Sequence, residues 1–233
     1  MIYPQLLFIR RIVMAVKGII FDMDGVIFDT EKISYQTWHL AEKEFNIKID
    51  YGKLYKLMGT SHDDIISQYS DIMGSIELAK AAYIWRHKKI NEIIKADGLI
   101  AKPGFIELME YINSRGLKTA LATSTKYNKM LFTFKHSNIE NPFTHIITGD
   151  MVVASKPNPE IFLKAAEVME LPIKDCMILE DSYNGITGAI ASGAKAVMVV
   201  DLMQPTDFIR NNCLAVVNSL SEVINILENL PAD

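Results

Sequence analysis

Cysteine and clustered positive charge are both scarce in this chain of 233 residues. The two cysteines, Cys176 and Cys213, lie far apart beside apolar runs, so neither a disulfide framework nor a cysteine-based zinc site is expected. The 24 Lys and Arg residues against 28 Asp and Glu residues leave a net charge of −4, and no basic cluster suggests binding to nucleic acid. We therefore expect a reduced, cytoplasmic protein with no nucleic-acid partner.

A hydrophobic run long enough to cross a bilayer is also missing. Arg10 and Arg11 interrupt the apolar stretch near the N-terminus, and no small-residue cleavage site follows before the first predicted strand. We expect no membrane association. Residues 1–15 are interpreted as an N-terminal extension, with Met14 as an alternative translation start.

Two common catalytic patterns are not evident either. There is no serine–histidine or cysteine–histidine pair, and no GxGxxG follows the first strand, which argues against a nucleotide-binding dehydrogenase. Hydrophobic residues make up 49% of the chain and charged residues 22%, which is ordinary for a soluble globular protein. The length suits one large domain, or a core with a smaller insert.

Short apolar strands alternate with helices over most of the chain. Strands are predicted at 16–21, 117–122, 145–148, 176–179 and 195–200, helices at 103–115, 126–137, 159–170 and 183–192, and segments 214–217 and 221–229 close the series. This alternation predicts an α/β fold with a Rossmann-like parallel sheet covered by helices on both faces.

Residues 30–101 have a different character and contain no convincing strand. Apolar spacing predicts helices at 31–45, 61–73 and 76–96. A helical block inserted after the first strand is typical of a cap. The predicted domains are therefore an α/β core at 16–29 and 102–233 and an inserted α-helical cap domain at 30–101, with Asp29 and Thr30 shaping the first connection and Pro103 and Gly104 marking the second.

Acidic side chains follow two of the core strands, where a buried strand should end. Asp22 and Asp24 lie two residues apart after the first strand, and Glu180 and Asp181 follow another. Buried carboxylates are costly unless a cation or hydrogen bonds compensate them. Because ligands bind beyond the carboxyl ends of parallel strands, we expect these acids to meet at one edge of the sheet. Oxygen ligands without histidine or cysteine favour Mg²⁺, so all four acids are candidate metal ligands.

Hydroxyl groups and a lysine are predicted at the same edge. Thr123 and Ser124 follow the second core strand, and Lys156 lies in a loop before a helix. These groups suit phosphoryl transfer, which depends on positioning and on neutralising negative charge. We assign Asp22 to attack on phosphorus, because carboxylates form aspartyl phosphates, and Asp24 to general acid and then base.

Four segments in order, DMDGVIFDT, LATST, SKPNPEIF and LEDSYNGI, resemble the motifs of the haloacid dehalogenase superfamily. The resemblance is to the branch of phosphatases and phosphoglucomutases with a helical cap, and it covers nearly the whole chain from Lys17. Dehalogenases of this superfamily normally lack the second aspartate, so Asp24 favours phosphate chemistry. The resemblance implies these roles: nucleophile for Asp22, acid and base for Asp24, phosphate-binding hydroxyl for Thr123, charge stabilisation for Lys156, and magnesium binding for Glu180 and Asp181 with Asp22 and the backbone carbonyl of Asp24.

Departures in the cap bear on the substrate. In β-phosphoglucomutases the first cap helix resembles the pattern DTxxxHxxxW, and this chain has Ser34 at the position of the histidine. Their cap loop resembles GxSRxxS, and here His62 replaces the arginine that would grip a second phosphate. This favours a phosphatase acting on a small-molecule phosphate ester, with a sugar phosphate as the expected substrate, over a β-phosphoglucomutase-type mutase. Ser61 and His62 follow Gly59 in a predicted loop and are candidate substrate contacts.

A phospho-accepting receiver module is a non-enzymatic alternative, because it also places acids, a hydroxyl residue and a lysine on an α/β sheet. Its order of acids differs, however, and it has no inserted cap. The protein is expected to be a monomer or a small homo-oligomer. Packing within the cap is expected of Trp38, Phe45, Tyr55, Tyr83 and Trp85, and structural or surface roles of His39, His87, His136 and His145.

Overall fold

The computed structural model describes residues 16–55 and 62–230. The predicted extension at 1–15 and the candidate contact Ser61 lie outside the described residues, and so does the side chain of His62. Among the described residues, no helix combines the length and the apolar character needed to cross a membrane. Both cysteines are free thiols, and Cys176 is buried.

Six parallel strands form one sheet in the order β3-β2-β1-β4-β5-β6. Their bounds are β1 (Gly18–Phe21), β2 (Lys118–Thr123), β3 (His145–Thr148), β4 (Cys176–Glu180), β5 (Lys195–Val199) and β6 (Ala215–Val217). Strand β1 lies between β2 and β4, and Phe21 is level with Leu121 and Leu179. The segments that follow these three strands therefore leave the sheet side by side. The α/β prediction is confirmed.

In the described residues between β1 and the rest of the core there are four helices: α1 (Thr30–Phe45), α2 (Tyr51–Tyr55), α3 (His62–Met73) and α4 (Ile76–Asp97). We call residues 30–97 the helical insert. Its described part contains no strand, and it packs around a small apolar cluster that includes Trp38, Tyr69 and Ala82. The two connections to the core run together, because Phe28 bridges Ala101 and Lys102 N donates to Ile27 O at 2.8 Å.

The remaining helices cover both faces of the sheet. They are α5 (Phe105–Arg115), α6 (Tyr127–Lys135), α7 (Glu160–Val168), α8 (Tyr183–Ser192), α9 (Asp207–Asn212) and α10 (Ser221–Asn229). Along β1, Ile19 and Phe21 pack with α5 and α10 on one face, while Ile20 packs with α7 on the other. Because both faces are buried, β1 is apolar at each position, and this run is what the sequence displays.

Prediction and structure differ mainly at the ends of elements. Strand β1 begins at Gly18 rather than at residue 16, and β2 ends at Thr123 rather than at 122. Helices α2 and α9 were not predicted, because five and six residues are too few to display a helical period. The division into a core domain and a cap domain at residues 30 and 101 stays a prediction.

Candidate active site

The first acidic segment turns sharply as it leaves β1. Asp22 N donates to Leu179 O at 3.0 Å, which continues the sheet by one residue. Two residues after Met23, Gly25 adopts a φ of +80°, and a Cβ there would lie 2.1 Å from Asp181 Oδ2. Only glycine accepts both the left-handed backbone and the close approach of this carboxylate.

Three carboxylates meet at this edge of the sheet. Oxygens of Asp22, Glu180 and Asp181 lie within 4.8 Å of one another, and the residues are 5%, 1% and 3% exposed. Glu180 Oε2 accepts hydrogen bonds from Ser182 N at 2.6 Å and from Ser182 Oγ at 3.0 Å. Gly185 leaves room for this side chain, since a Cβ there would lie 1.7 Å from Glu180 Oε1. The predicted convergence of these three acids is therefore present.

Lys156 is the buried cation of this cluster. Its Nζ lies 2.5 Å from Asp22 Oδ1, 2.8 Å from Glu180 Oε1 and 3.3 Å from Ala122 O. Burial alone would lower the pKa of Lys156, but the carboxylates of Asp22 and Glu180 outweigh burial and raise it above its ordinary value. The lysine therefore stays charged and bridges two of the three carboxylates.

The loop that carries Lys156 is held by Glu160, which sequence reasoning did not identify. Glu160 Oε2 accepts from Ala154 N at 2.8 Å, and its Oε1 accepts from Val153 N at 3.1 Å and pairs with Lys164 Nζ at 2.7 Å. The hydrogen bonds from Lys164 and the two backbone amides lower the pKa of Glu160 to about 2. An ionised glutamate thus fixes the backbone just before Lys156.

The side chain of Asp24 stands apart from the carboxylate cluster and is bound by threonines. Its Oδ1 accepts from Thr30 Oγ1 at 2.6 Å, while its Oδ2 accepts from Thr125 Oγ1 at 2.8 Å and lies 3.4 Å from Thr123 Oγ1. Thr30 therefore contacts the site itself, beyond its predicted role in shaping the connection. That Asp24 binds metal through its backbone carbonyl stays a prediction.

Lys102 ties the turn after Asp24 to two other loops. Its Nζ donates to Gly25 O at 2.6 Å and to Asp201 Oδ1 at 2.7 Å, and it lies 3.5 Å from Asp29 Oδ1. This lysine stands on the second connection to the helical insert, and Asp29 stands on the first. These contacts cannot be found from the sequence, because each acceptor lies far along the chain from Lys102.

A cavity of about 500 Å³ lies between the helical insert and the carboxyl edge of the sheet. This volume is in the range of small-molecule sites. Thr123 and Ser124 line the cavity together with Asp22, Asp24 and Lys156. From the insert it is lined by Glu31, Trp38, Tyr69, Tyr83, Arg86 and His87. Trp38 packs within the insert as predicted, and His87, assigned a structural or surface role from sequence, lines the cavity as well.

The site holds more acidic groups than the nearby cations can neutralise. Burial raises the pKa of Asp22 to about 7, with Lys156 opposing and Glu180 and Asp24 adding to the rise. Burial and the neighbouring carboxylates raise the pKa of Asp181 well above its ordinary value. On the insert, burial and the carboxylates of Asp24, Asp22 and Asp201 raise the pKa of Glu31 to about 8, while Arg86 opposes the rise.

A divalent cation would relieve this imbalance. The donors Asp22, Glu180 and Asp181 are hard oxygens close enough to share one ion, and together they carry more negative charge than Lys156 compensates. The residues present therefore fit Mg²⁺, as the sequence predicts.

We expect Mg²⁺ to stabilise the protein more at about pH 8 than at about pH 5. Without metal, the pKa of Asp22 is about 7 in the folded state against an ordinary value of 3.8, so the folded state holds a proton that the unfolded chain has lost. The free energy of unfolding then falls as pH rises through this interval. Because Mg²⁺ requires ionised carboxylates, its stabilising effect grows over the same interval.

Thermal unfolding with EDTA and with MgCl₂ across this pH range measures the effect. Asp181→Asn should weaken the response to Mg²⁺, whereas Asp71→Asn, which changes an exposed aspartate of α3, should leave it intact. An equal gain in Tm at both ends of the range would contradict the prediction.

The fold and the site together define an α/β protein with a candidate metal and phosphate site at the ends of its central strands. The family model for haloacid dehalogenase-like hydrolases matches residues 19–199, which include all four motif segments, the first of them beginning at Asp22, and most of the sheet. The chain belongs to the haloacid dehalogenase-like hydrolase family.

Two relatives of known name are similar in sequence. The phosphorylated carbohydrates phosphatase of Thermotoga maritima is 27% identical over 192 residues, which cover 77% of this chain and 86% of that protein. Hexitol phosphatase A of Escherichia coli is 28% identical over 126 residues, which cover 54% of this chain and 57% of that protein. The second alignment therefore spans little more than half of either protein.

Solved structures share the fold over nearly the whole chain. A hydrolase from Pseudomonas syringae superposes with a TM-score of 0.76 at 25% identity, covering 92% of this chain and 99% of that one. The beta-phosphoglucomutase of Clostridium difficile superposes with a TM-score of 0.72 at 24% identity, covering 92% and 97%. The second likeness is one of fold alone.

Proposed function

We propose that the protein is a magnesium-dependent phosphatase that hydrolyses a small phosphorylated metabolite, such as a sugar phosphate, through an aspartyl phosphate on Asp22. One observation carries the proposal: Asp22 lies in a carboxylate cluster with Lys156, while Asp24 is held separately by threonines in the same cavity. The likeness to phosphatases of phosphorylated carbohydrates and hexitols supports the substrate class. A cytoplasmic location and a monomeric or small homo-oligomeric state stay predictions.

In the first step, an oxygen of Asp22 attacks phosphorus and the bond from phosphorus to the leaving alcohol breaks. Mg²⁺ held by Asp22, Glu180 and Asp181 would supply neutralisation of the phosphate oxygens and keep the nucleophile ionised. Lys156 adds a fixed positive charge beside the attacking carboxylate. In this proposal the hydroxyls of Thr123 and Ser124, which line the cavity, bind phosphate oxygens.

Asp24 acts as general acid in the first step and as general base in the second. Its carboxyl gives a proton to the leaving alcohol as that bond breaks. In the second step it takes a proton from water, which attacks phosphorus, breaks the bond to Asp22 and releases inorganic phosphate. The hydrogen bonds from Thr30 and Thr125 fix the orientation of this carboxyl.

The helical insert acts in this proposal as a cap that closes over the bound ester. Its two connections are bridged at Phe28 and Ala101, so a small change of backbone there would move the insert as a body. Closure would exclude bulk water from the cavity and place the leaving group against Asp24.

Phosphate release from a panel of sugar, polyol, glycolate and nucleotide monophosphates tests the proposal. We expect release from sugar or polyol phosphates with Mg²⁺, a fall of about 100-fold or more in excess EDTA, and recovery when Mg²⁺ is restored. Release that persists in EDTA would contradict the metal's role. For the mutase alternative, β-glucose 1-phosphate with a bisphosphate primer would yield glucose 6-phosphate faster than free phosphate.

A further inference from the structure

Four basic side chains line the cavity away from the carboxylate cluster. Arg86 and His87 belong to α4 of the helical insert, Lys126 is the N-cap of α6 of the core, and Lys129 lies within α6. Lys129 Nζ lies 3.5 Å from His87 Nδ1, so basic groups of the insert and of the core meet across the cavity. The reaction proposed above uses none of these side chains.

Arg86 is buried at the cavity wall, where Trp38 and Ser34 hold its side chain. It is 2% exposed, its guanidinium carbon lies 3.5 Å from the centroid of the Trp38 ring, and its Nη2 donates to the carbonyl and the hydroxyl of Ser34 at 2.9 Å each. Within the described part of the chain, its Nε is buried and has no hydrogen-bond partner. A buried donor without an acceptor is costly, and an acceptor on a bound ligand could satisfy it.

Ser34 supplies two hydrogen-bond acceptors for Arg86 Nη2. The pattern typical of β-phosphoglucomutases has a histidine at this position, and the smaller serine of this chain instead offers two oxygens to Arg86. The departure from that pattern is therefore matched by a cation on the facing helix.

Lys129 faces the same space from the core. Burial lowers the pKa of Lys129, Asp24 raises it and Arg86 lowers it, so the ammonium lies within electrostatic reach of both. Two cations that share a half-buried cavity repel each other, and an anion bound between them would turn this repulsion into attraction. The carboxylates that face the pair are Glu31, beside Arg86, and Asp24, which three threonine hydroxyls already surround.

We propose that Lys129, with Arg86 and His87, forms a subsite for a second anionic group of the substrate, a carboxylate or a second phosphate. This group is remote from the phosphate that is hydrolysed. The inference rests on the proposed phosphatase function and narrows its substrate class to phosphate esters that carry another negative charge. Because the subsite has one wall on the core and one on the insert, an anion bound there would also hold the insert closed.

Pairs of substrates that differ in one anionic group test the subsite. Suitable pairs are glycerol 3-phosphate with 3-phosphoglycerate, glucose 6-phosphate with 6-phosphogluconate, and fructose 6-phosphate with fructose 1,6-bisphosphate. For at least one pair we expect the wild-type protein to favour the anionic member by about 10-fold or more in kcat/KM, mainly through KM. The first two pairs report on a carboxylate and the third on a phosphate.

Three variants separate the subsite from a general effect of charge. Lys129→Met should bring the ratio between pair members down to about one, and Lys129→Arg should keep the preference, because it keeps the cation. Lys135→Met removes an exposed lysine from the end of the same helix and should leave the ratio as in the wild-type protein. If Lys129→Met leaves the ratio of kcat/KM between the pair members unchanged, the proposal is overturned. An unchanged ratio with an equal loss of kcat/KM for both members would place Lys129 at the reacting phosphate instead.

Binding measurements keep the subsite testable if no phosphate ester is turned over, which would refute the phosphatase function. Calorimetry on Asp22→Asn with Mg²⁺ would then measure the Kd of each pair. The anionic member should bind about 10-fold more tightly, and adding Lys129→Met should abolish the difference. Equal binding of both members would overturn the subsite whatever the reaction proves to be.

Discussion

Asp22→Asn is expected to lower kcat by about 10⁴-fold or more without unfolding the protein. The amide has the shape of the carboxylate but does not attack phosphorus. It also carries no charge, and burial already raises the pKa of Asp22 to about 7, so a neutral side chain at this position is tolerated by its surroundings. Phosphate release measures the loss, and acid-quenched protein should carry covalent phosphate in the wild type and none in the variant.

Asp29→Asn is the matched control for this change. Asp29 lies in the same segment and contacts Lys102 and Lys32 rather than the carboxylate cluster. Its replacement should change kcat by no more than about threefold, since ion pairs of this exposure contribute little. Normal turnover by Asp22→Asn would mean that the nucleophile lies elsewhere.

The convergence of the acids and of Thr123 could be predicted because each stands at the carboxyl end of a strand. Asp22 follows β1, Thr123 ends β2, and Glu180 ends β4, and these apolar runs are visible in the sequence. Parallel strands bring their carboxyl ends to one edge whatever their order. The order itself, which makes these three strands neighbours, depends on packing between distant segments and could not be read from the sequence.

The insert side of the cavity could not be predicted for a related reason. Glu31 and Arg86 look like ordinary charges of amphipathic helices, and nothing local tells which of them turns inward. The contact between Arg86 and Ser34 joins residues 52 positions apart, and the contact between Lys129 and His87 joins residues 42 apart. Side chains placed by the packing of one helix on another have no short motif to reveal them.

Lys156→Met is expected to lower kcat by about 10³-fold and to make the folded state dependent on Mg²⁺. Lys156 Nζ contacts Asp22 and Glu180, and its removal leaves three buried carboxylates without a cation from the chain. Breaking one partner of a buried ion pair costs about 3–5 kcal/mol. In EDTA we therefore expect a large fall in the free energy of unfolding, and a smaller one when Mg²⁺ occupies the cluster.

We expect Lys156→Met to lose more free energy of unfolding in EDTA at high pH than at low pH. Without Lys156, the folded pKa of Asp22 rises further above about 7, because the lysine no longer opposes the effect of burial. The folded state then keeps protons that the unfolded chain has released, so the free energy of unfolding in EDTA falls as pH rises from about 5 to about 8. Urea unfolding at both ends of this range, with EDTA and with MgCl₂, measures the change.

Lys174→Met removes an exposed lysine and should change stability by less than about 1 kcal/mol at either pH. If Lys156→Met lost the same free energy of unfolding with and without Mg²⁺, the lysine and the metal could not be compensating the same carboxylates. A loss that Mg²⁺ largely restores, with kcat still low, would separate the two roles of the lysine. Its charge would then be replaceable for folding, because any cation neutralises the cluster, but not for catalysis, where the ammonium must stand beside the oxygen of Asp22 that attacks phosphorus.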